Sequence, residues 1–192
     1  EVRTSSGGAM HEKRFAATGE VLCRTHTAGG EEVDRAVAAA QEGFAVWSRM
    51  SGTERGSILR RASDIMQASA AQIARLETLD SGKPLRETQD DTGGQAVLSL
   101  LASHASTTCI RGSHTPLTPP SFAYTLREPL GVCAAITAWN YPVQIALWKA
   151  APALACGNSV ILKPSEHSPL TARRLSEIFS EAGVPKGVFN VV

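Results

Sequence analysis

The chain alternates short apolar runs with longer stretches in which apolar residues recur every three or four positions. Val132 to Thr137 and Ser159 to Leu162 are short, apolar and bounded by Gly131, Gly157 and Pro164, the pattern of buried parallel strands. Between them Val143, Leu147, Ala150, Ala151 and Leu154 recur at helical spacing, and Gly157 with Asn158 supplies the stop. A second unit follows at once. Ser168 reads as its N-cap and Pro169 as the first helical residue; Leu170, Leu175, Ile178 and Phe179 form its apolar face, and Gly183 with Pro185 ends it. Val188 to Val192 then reads as a third strand. The pattern predicts a βαβαβ unit with right-handed crossovers and helices covering the faces of an α/β sheet.

Upstream the period is helical. Glu1 to Gly30 reads as loop and short strands, with a Thr18-Gly19 turn before Val21 and Leu22. Glu31 to Trp47 is predicted as a helix on the spacing of Val33, Val37, Ala40, Phe44 and Trp47, with Glu31 and Glu32 at its positive end. A second helix starts near Thr53, with Ile58, Leu59, Ala62, Ile65 and Met66 on one face. A third carries Ile73, Leu76 and Leu79, and Asp80 to Pro84 breaks the chain. Glu87 to Thr108 is predicted as one further helix, weakened by about 1 kcal/mol at each of Gly93 and Gly94. Residues 109–128 read as two extended segments, the second from Phe122 to Leu126, joined through a loop rich in proline. The chain thus divides into 1–108, 109–128 and 129–192.

Composition narrows the class. The chain has 192 residues, 43% hydrophobic and 19% charged, with a formal net charge of +1, so it can form its own core. Its 19 Lys and Arg are spread among 18 acids, which gives no basic surface for nucleic acid. The four cysteines at 23, 109, 133 and 156 show neither a CxxC nor a His-paired metal spacing. No metal site is expected, and a reducing, cytoplasmic location is the simpler reading. Glu1 to Arg14 is too polar for a signal peptide. The uncharged run from Leu130 to Trp148 is interrupted by Asn140, Pro142 and Gln144, which a strand-to-helix junction explains better than a membrane span does.

Candidate chemistry sits at the junctions Thr137 to Pro142 and Lys163 to Ser168. Parallel strands would bring both to one sheet edge, where open α/β sheets bind ligands. Asn140 could donate from its amide to an oxygen gaining charge, or it could cap the helix that follows. Lys163 and Glu166 could grip vicinal hydroxyls as donor and acceptor, or form a solvated ion pair. Trp139 and Pro164 could wall a groove or pack in the core. Tyr141, Gln144, Ile145 and Trp148 share one helical stripe, which could be core, or could present aromatic faces to a cation. Cys133, in mid-strand, and Cys156, at a helix end, read as small core residues.

The motifs AWNYP, WK-APALACGN, KPSE and SEAGVPKGVFNVV resemble those of the NAD(P)-dependent aldehyde dehydrogenase superfamily. The similarity extends through TGEVLC, EEVDRAVAAA, ERGSILRRASDIM, LETLDSGKPLRE and SFAYTLREPLG, over nearly the whole chain. SFAYTLREPLGVC followed by AWNYPVQIALWK is most similar to the 4-trimethylaminobutyraldehyde and betaine aldehyde dehydrogenase branch, whose members often carry Pro where this chain has Glu166.

The resemblance implies the N-terminal part of a Rossmann-like cofactor-binding domain. Its helical part would be 1–108, an oligomerisation hairpin 109–128 and the βαβαβ portion 129–192, with the catalytic domain absent. It implies an enzyme that oxidises aminoaldehydes, such as 4-trimethylaminobutyraldehyde or betaine aldehyde, to carboxylic acids with NAD+. Asn140 would stabilise the oxyanion. Lys163 and Glu166 would hold the adenosine ribose, and Glu166 would repel a 2′-phosphate, favouring NAD over NADP. Ile136, Thr137, Trp139 and Pro164 would wall the cofactor groove, and Tyr141, Gln144, Ile145 and Trp148 would line the aldehyde tunnel. The hairpin would extend another subunit's sheet, giving a homo-oligomer, a dimer or tetramer. None of the four cysteines matches the family's nucleophile motif, so the chain is expected to be a fragment, inactive and marginally stable alone. The alternatives are a non-catalytic truncated isoform acting as a binding or assembly module, and a related semialdehyde dehydrogenase.

Overall fold

A computed structural model describes residues 10–108 and 110–192. Residues 1–9 of the stretch Glu1 to Gly30, predicted as loop and short strands, and Cys109 at the start of the hairpin segment lie outside them. Strand β1 (Met10–Arg14) pairs antiparallel with β2 (Val21–His26). Gly19 in the turn between them has φ +77, a left-handed conformation that glycine adopts without a Cβ clash.

Helix α1 (Gly30–Trp47) follows, with the Glu32 carboxylate accepting from the Gly29 N–H at 2.9 Å. Helix α2 (Gly52–Ala68) opens on a reciprocal cap. The Glu54 N–H donates to Ser51 Oγ at 3.2 Å, and the Ser51 N–H to Glu54 Oε2 at 2.7 Å. Helix α3 (Ala70–Ser81) stops at Gly82, whose φ is +79.

The helix predicted from Glu87 to Thr108 is divided in the structure. Helix α4 (Leu85–Asp90) runs into a π-helical turn (Asp91–Ala96) and then into α5 (Val97–Ser106). Gly93 and Gly94 fall inside the widened turn, where the missing side chains reduce the cost of the irregular hydrogen bonding. Strands β3 (His114–Pro116) and β4 (Phe122–Tyr124) then form an antiparallel hairpin whose every residue is exposed.

The remainder builds the sheet: β5 (Val132–Ile136), α6 (Pro142–Ala155), β6 (Ser159–Lys163), α7 (Leu170–Glu181) and β7 (Phe189–Val191). The three strands are parallel in the order β5-β6-β7. The first four residues of the central strand β6 are buried, whereas in β5 only Ala135 is. The expectation of a buried strand over Val132–Thr137 therefore fails for most of β5: it is an edge strand, and no neighbour covers its outer side among the described residues. The fold is a mixed α/β architecture in which helices pack on a parallel sheet.

One continuous core joins the helices to the sheet through Trp47, Leu59, Met66, Leu100, Leu147, Leu154, Leu162, Leu175 and Phe179. The Trp47 indole N–H donates to the Leu154 carbonyl at 2.8 Å, tying α1 to α6. Helix α1 also meets the turn before β7 at backbone contact. A Cβ on Gly43 would lie 2.5 Å from the Gly187 carbonyl carbon, and one on Gly187 would lie 2.1 Å from the Ala39 carbonyl oxygen.

Candidate functional site

The two polar junctions leave the sheet side by side. Val132 to Ile136 register with Ser159 to Lys163, and the Thr137 N–H donates to the Lys163 carbonyl at 3.1 Å, one step beyond the end of β5. Segments 137–141 and 164–168 therefore start together at the carboxyl edge. Lys163 and Glu166 are exposed there and pair with each other, Nζ to Oε2, at 3.3 Å. Glu166's carboxyl is held below its usual range by its own backbone N–H first and then by Lys163, so it stays ionised. Beside the pair, Ile136 is 69% and Trp139 58% exposed, while Thr137 and Pro164 are half-buried. A cation, a carboxylate and an apolar surface thus share one rim.

Asn140 lies on the first junction. The Val143 N–H at the start of α6 is taken by Glu77 Oε2 at 3.1 Å, so the capping role open to Asn140 is filled by another residue. The N-cap of α6 is Tyr141, without a side-chain bond. The Asn140 side chain is exposed and makes no hydrogen bond among the described residues. Together with Ser81, Gly82, Lys83, Trp139 and Tyr141 it lines an open cleft of about 370 Å³.

Lys83 changes the reading of the aromatic stripe. Its Nζ sits 3.5 Å from the centroid of the Tyr141 ring and 2.5 Å from Asp91 Oδ2, so the protein's own ammonium covers one face of Tyr141. Trp148, 56% exposed, keeps an accessible ring. Gln144 is buried with Oε1 unpartnered, and Ile145 is half-buried. The stripe is therefore split between surface and interior.

Beneath the junctions lie groups that sequence reasoning missed. Glu77 has no solvent exposure, and burial pushes its carboxyl up to about 7. Asp80, one helical turn along α3, is pushed up to about 6 by burial. Asp80 Oδ2 accepts from the Leu170 N–H at 2.8 Å and the Thr171 N–H at 3.1 Å. Ser168, predicted as the N-cap of α7, is not: its Oγ is buried without a partner, Pro169 occupies the cap position, and Asp80 supplies the acceptor. Lys13 lies 3.5 Å from Asp80 Oδ1 and donates to the carbonyls of Asp80 and His167. A signal existed, since Glu77 and Asp80 continue the buried stripe begun by Ile73 and Ala74.

Among the described residues no cluster of three His, Cys, Asp or Glu is placed to hold a metal, and no helix is long and apolar enough to cross a membrane. Cys23 and Cys133 are half-buried, and burial pushes the Cys133 thiol up. Cys156, expected in the core, is exposed, because it is the residue that ends α6.

A sequence model of the aldehyde dehydrogenase family matches residues 3–192. An aldehyde dehydrogenase from Bacillus cereus superposes with a TM-score of 0.96 at 34% identity, covering 100% of this chain and 40% of that one. An NAD+ complex of aldehyde dehydrogenase from the same organism gives 0.92 at 35% identity over 96% of this chain and 38% of that one. An NADP dependent enzyme of E. coli gives 0.93 at 34% identity over 96% and 38%. The chain spans about two-fifths of the length of these structures.

Proposed function

The chain belongs to the aldehyde dehydrogenase family, and on that premise we propose that it supplies the nucleotide-binding rim and the oxyanion amide of an enzyme that oxidises aminoaldehydes with NAD+. The observation that carries this is the shared carboxyl edge, where the Thr137–Lys163 backbone bond brings Asn140's junction beside Lys163 and Glu166.

The donor set fits a nucleotide. Lys163 can donate to ribose hydroxyls and Glu166 accept from them, while Ile136, Thr137, Trp139 and Pro164 offer the surface against which it would lie. Because Glu166 stays ionised, it opposes a 2′-phosphate and favours NAD over NADP, the relatives' structures including both an NAD+ complex and an NADP dependent enzyme. Bound NAD+ supplies the hydride acceptor.

Asn140 is free to donate to a developing oxyanion. Its exposure and lack of an internal partner support that role. The thiol that attacks the aldehyde is not assigned to Cys133, whose acidity burial weakens. Substrate recognition along Tyr141, Gln144, Ile145 and Trp148 rests chiefly on Trp148, since Lys83 already covers Tyr141; a trimethylammonium group on its ring would gain roughly 1 to 2 kcal/mol. The domain division 1–108, 109–128 and 129–192, oligomerisation through the exposed hairpin, and a cytoplasmic location resting on free cysteines belong to the same reading.

In the protein carrying this chain, Asn140→Ala is expected to lower kcat for aldehyde-dependent NADH formation by about 10² to 10³ with NAD+ affinity unchanged. Trp148→Ala should reduce kcat/KM for betaine aldehyde about 10-fold more than for a neutral aldehyde. A loss of less than threefold in the Asn140 variant excludes the oxyanion role.

A further inference from the structure

Helix α3 carries two carboxylates, Glu77 and Asp80, three residues apart on its buried face. Each reaches a different crossover helix. Glu77 Oε2 accepts the Val143 N–H at the start of α6, and Asp80 Oδ2 accepts the Leu170 and Thr171 N–H groups at the start of α7. These amides are among the unpaired donors of a helix's first turn, and side chains of the crossover helices themselves do not satisfy them. Segments 137–141 and 164–168 immediately precede the two helices. Where each helix begins therefore fixes where its segment leaves the sheet.

We infer that Glu77 and Asp80 are positioning residues that set the two halves of the rim independently, Glu77 holding the Asn140 segment and Asp80 the Lys163–Glu166 segment. The functional consequence rests on the reading of those segments given above. The cap geometry does not.

The hydrogen-bond partners of the two carboxylates are separate, while their charges act on each other. Glu77 faces the Val143 amide from α6, Lys83 beyond the end of α3, Asp91 from the π-helical turn and Asp80 on its own helix. Asp80 faces the Leu170 and Thr171 amides from α7 and Lys13 from β1. Lys13 also donates to the His167 carbonyl, next to Glu166, so the Asp80 arm holds its segment at a second point. Among the described residues no β1 side chain bonds to the Asn140 segment. Among the described residues Glu77 Oε1 is buried without a partner, and the Val143 bond is the hydrogen bond this carboxylate makes.

The test uses the protein that carries this chain, isotopically labelled, with NAD+ as the probe. In the wild type, the Val143 amide proton should shift with a pH midpoint near 7, and those of Leu170 and Thr171 near 6. Glu77→Met, which removes the acceptor, should move the amides of residues 139–141 and leave those of 164–168 in place. Asp80→Leu should move those of 164–168 and weaken NAD+ by on the order of 10-fold, the scale of one lost helix cap. Glu77→Gln and Asp80→Asn keep an acceptor and should restore both patterns.

The assignment is overturned if each variant disturbs both segments alike, as a merely structural role would, or if neither variant moves the segment assigned to it. Variants that each move only their own segment, in a protein that does not bind NAD+, uphold the caps and remove the nucleotide reading.

Discussion

Glu77 is a carboxylate with no solvent exposure and one oxygen without a partner, and that has a consequence for stability. Its folded pKa, about 7, lies above its ordinary value of 4.5. The folded state therefore binds the proton more tightly, and the stability this contributes is fully present below pH 4.5 and lost as pH rises through 7. At 1.36 kcal/mol per unit the loss is bounded at about 3 kcal/mol. Glu77→Gln keeps an acceptor for the Val143 N–H without the charge. In urea unfolding the variant should match the wild type at pH 4 and exceed it by about 1 to 3 kcal/mol at pH 9. A constant difference at both pH values would show that the carboxyl does not titrate in this range. Legibility at this scale follows from where side chains lie. Asn140, Lys163 and Glu166 stood out as polar residues on short junctions between apolar runs. Glu77 and Asp80 did not, because a carboxylate on an amphipathic helix reads as solvated until its neighbours are known.

Among the elements, the hairpin of β3 and β4 is the least self-sufficient. A two-stranded ribbon is marginal in water, and this one exposes Phe122, Tyr124 and the following Leu126 by 59%, 61% and 68%. Such an edge invites another strand. Sedimentation velocity should find the wild-type chain dimeric or larger at micromolar concentration, and Tyr124→Arg shifted toward monomer; a wild type monomeric throughout would remove the hairpin from assembly. The helices of the first hundred residues were readable because their apolar spacing is regular. The division of the last of them was not, because a Gly pair signals weakness without saying whether the helix stops or widens. The cap of α7 was misread for a different reason. Ser168 has the right chemistry but lies one residue before the cap position, and Asp80, ninety residues away, accepts from the amides instead.

At the scale of the whole molecule, α1, α6 and α7 pack on a three-stranded sheet whose outer strands β5 and β7 have no further partner among the described residues, and Leu130 just before β5 is 92% exposed. The carboxyl edge gathers Asn140, Lys163 and Glu166 from junctions 23 to 26 residues apart in sequence, and everything proposed about function depends on that edge receiving a dinucleotide. The sequence pattern predicted this gathering, since parallel strands joined by right-handed crossovers leave little choice. It could not predict the exposure of β5, which depends on what pairs beside it. The most direct test maps amide shifts of the chain during titration with NAD+. The expected result is saturable binding with changes concentrated at residues 136–140 and 163–167, weakened about 10-fold by Lys163→Ala, the scale of one charge-assisted hydrogen bond, and discriminating less against NADP+ in Glu166→Ser. No binding, or changes confined to the opposite edge around Gly131, Asn158 and Val188, would contradict it.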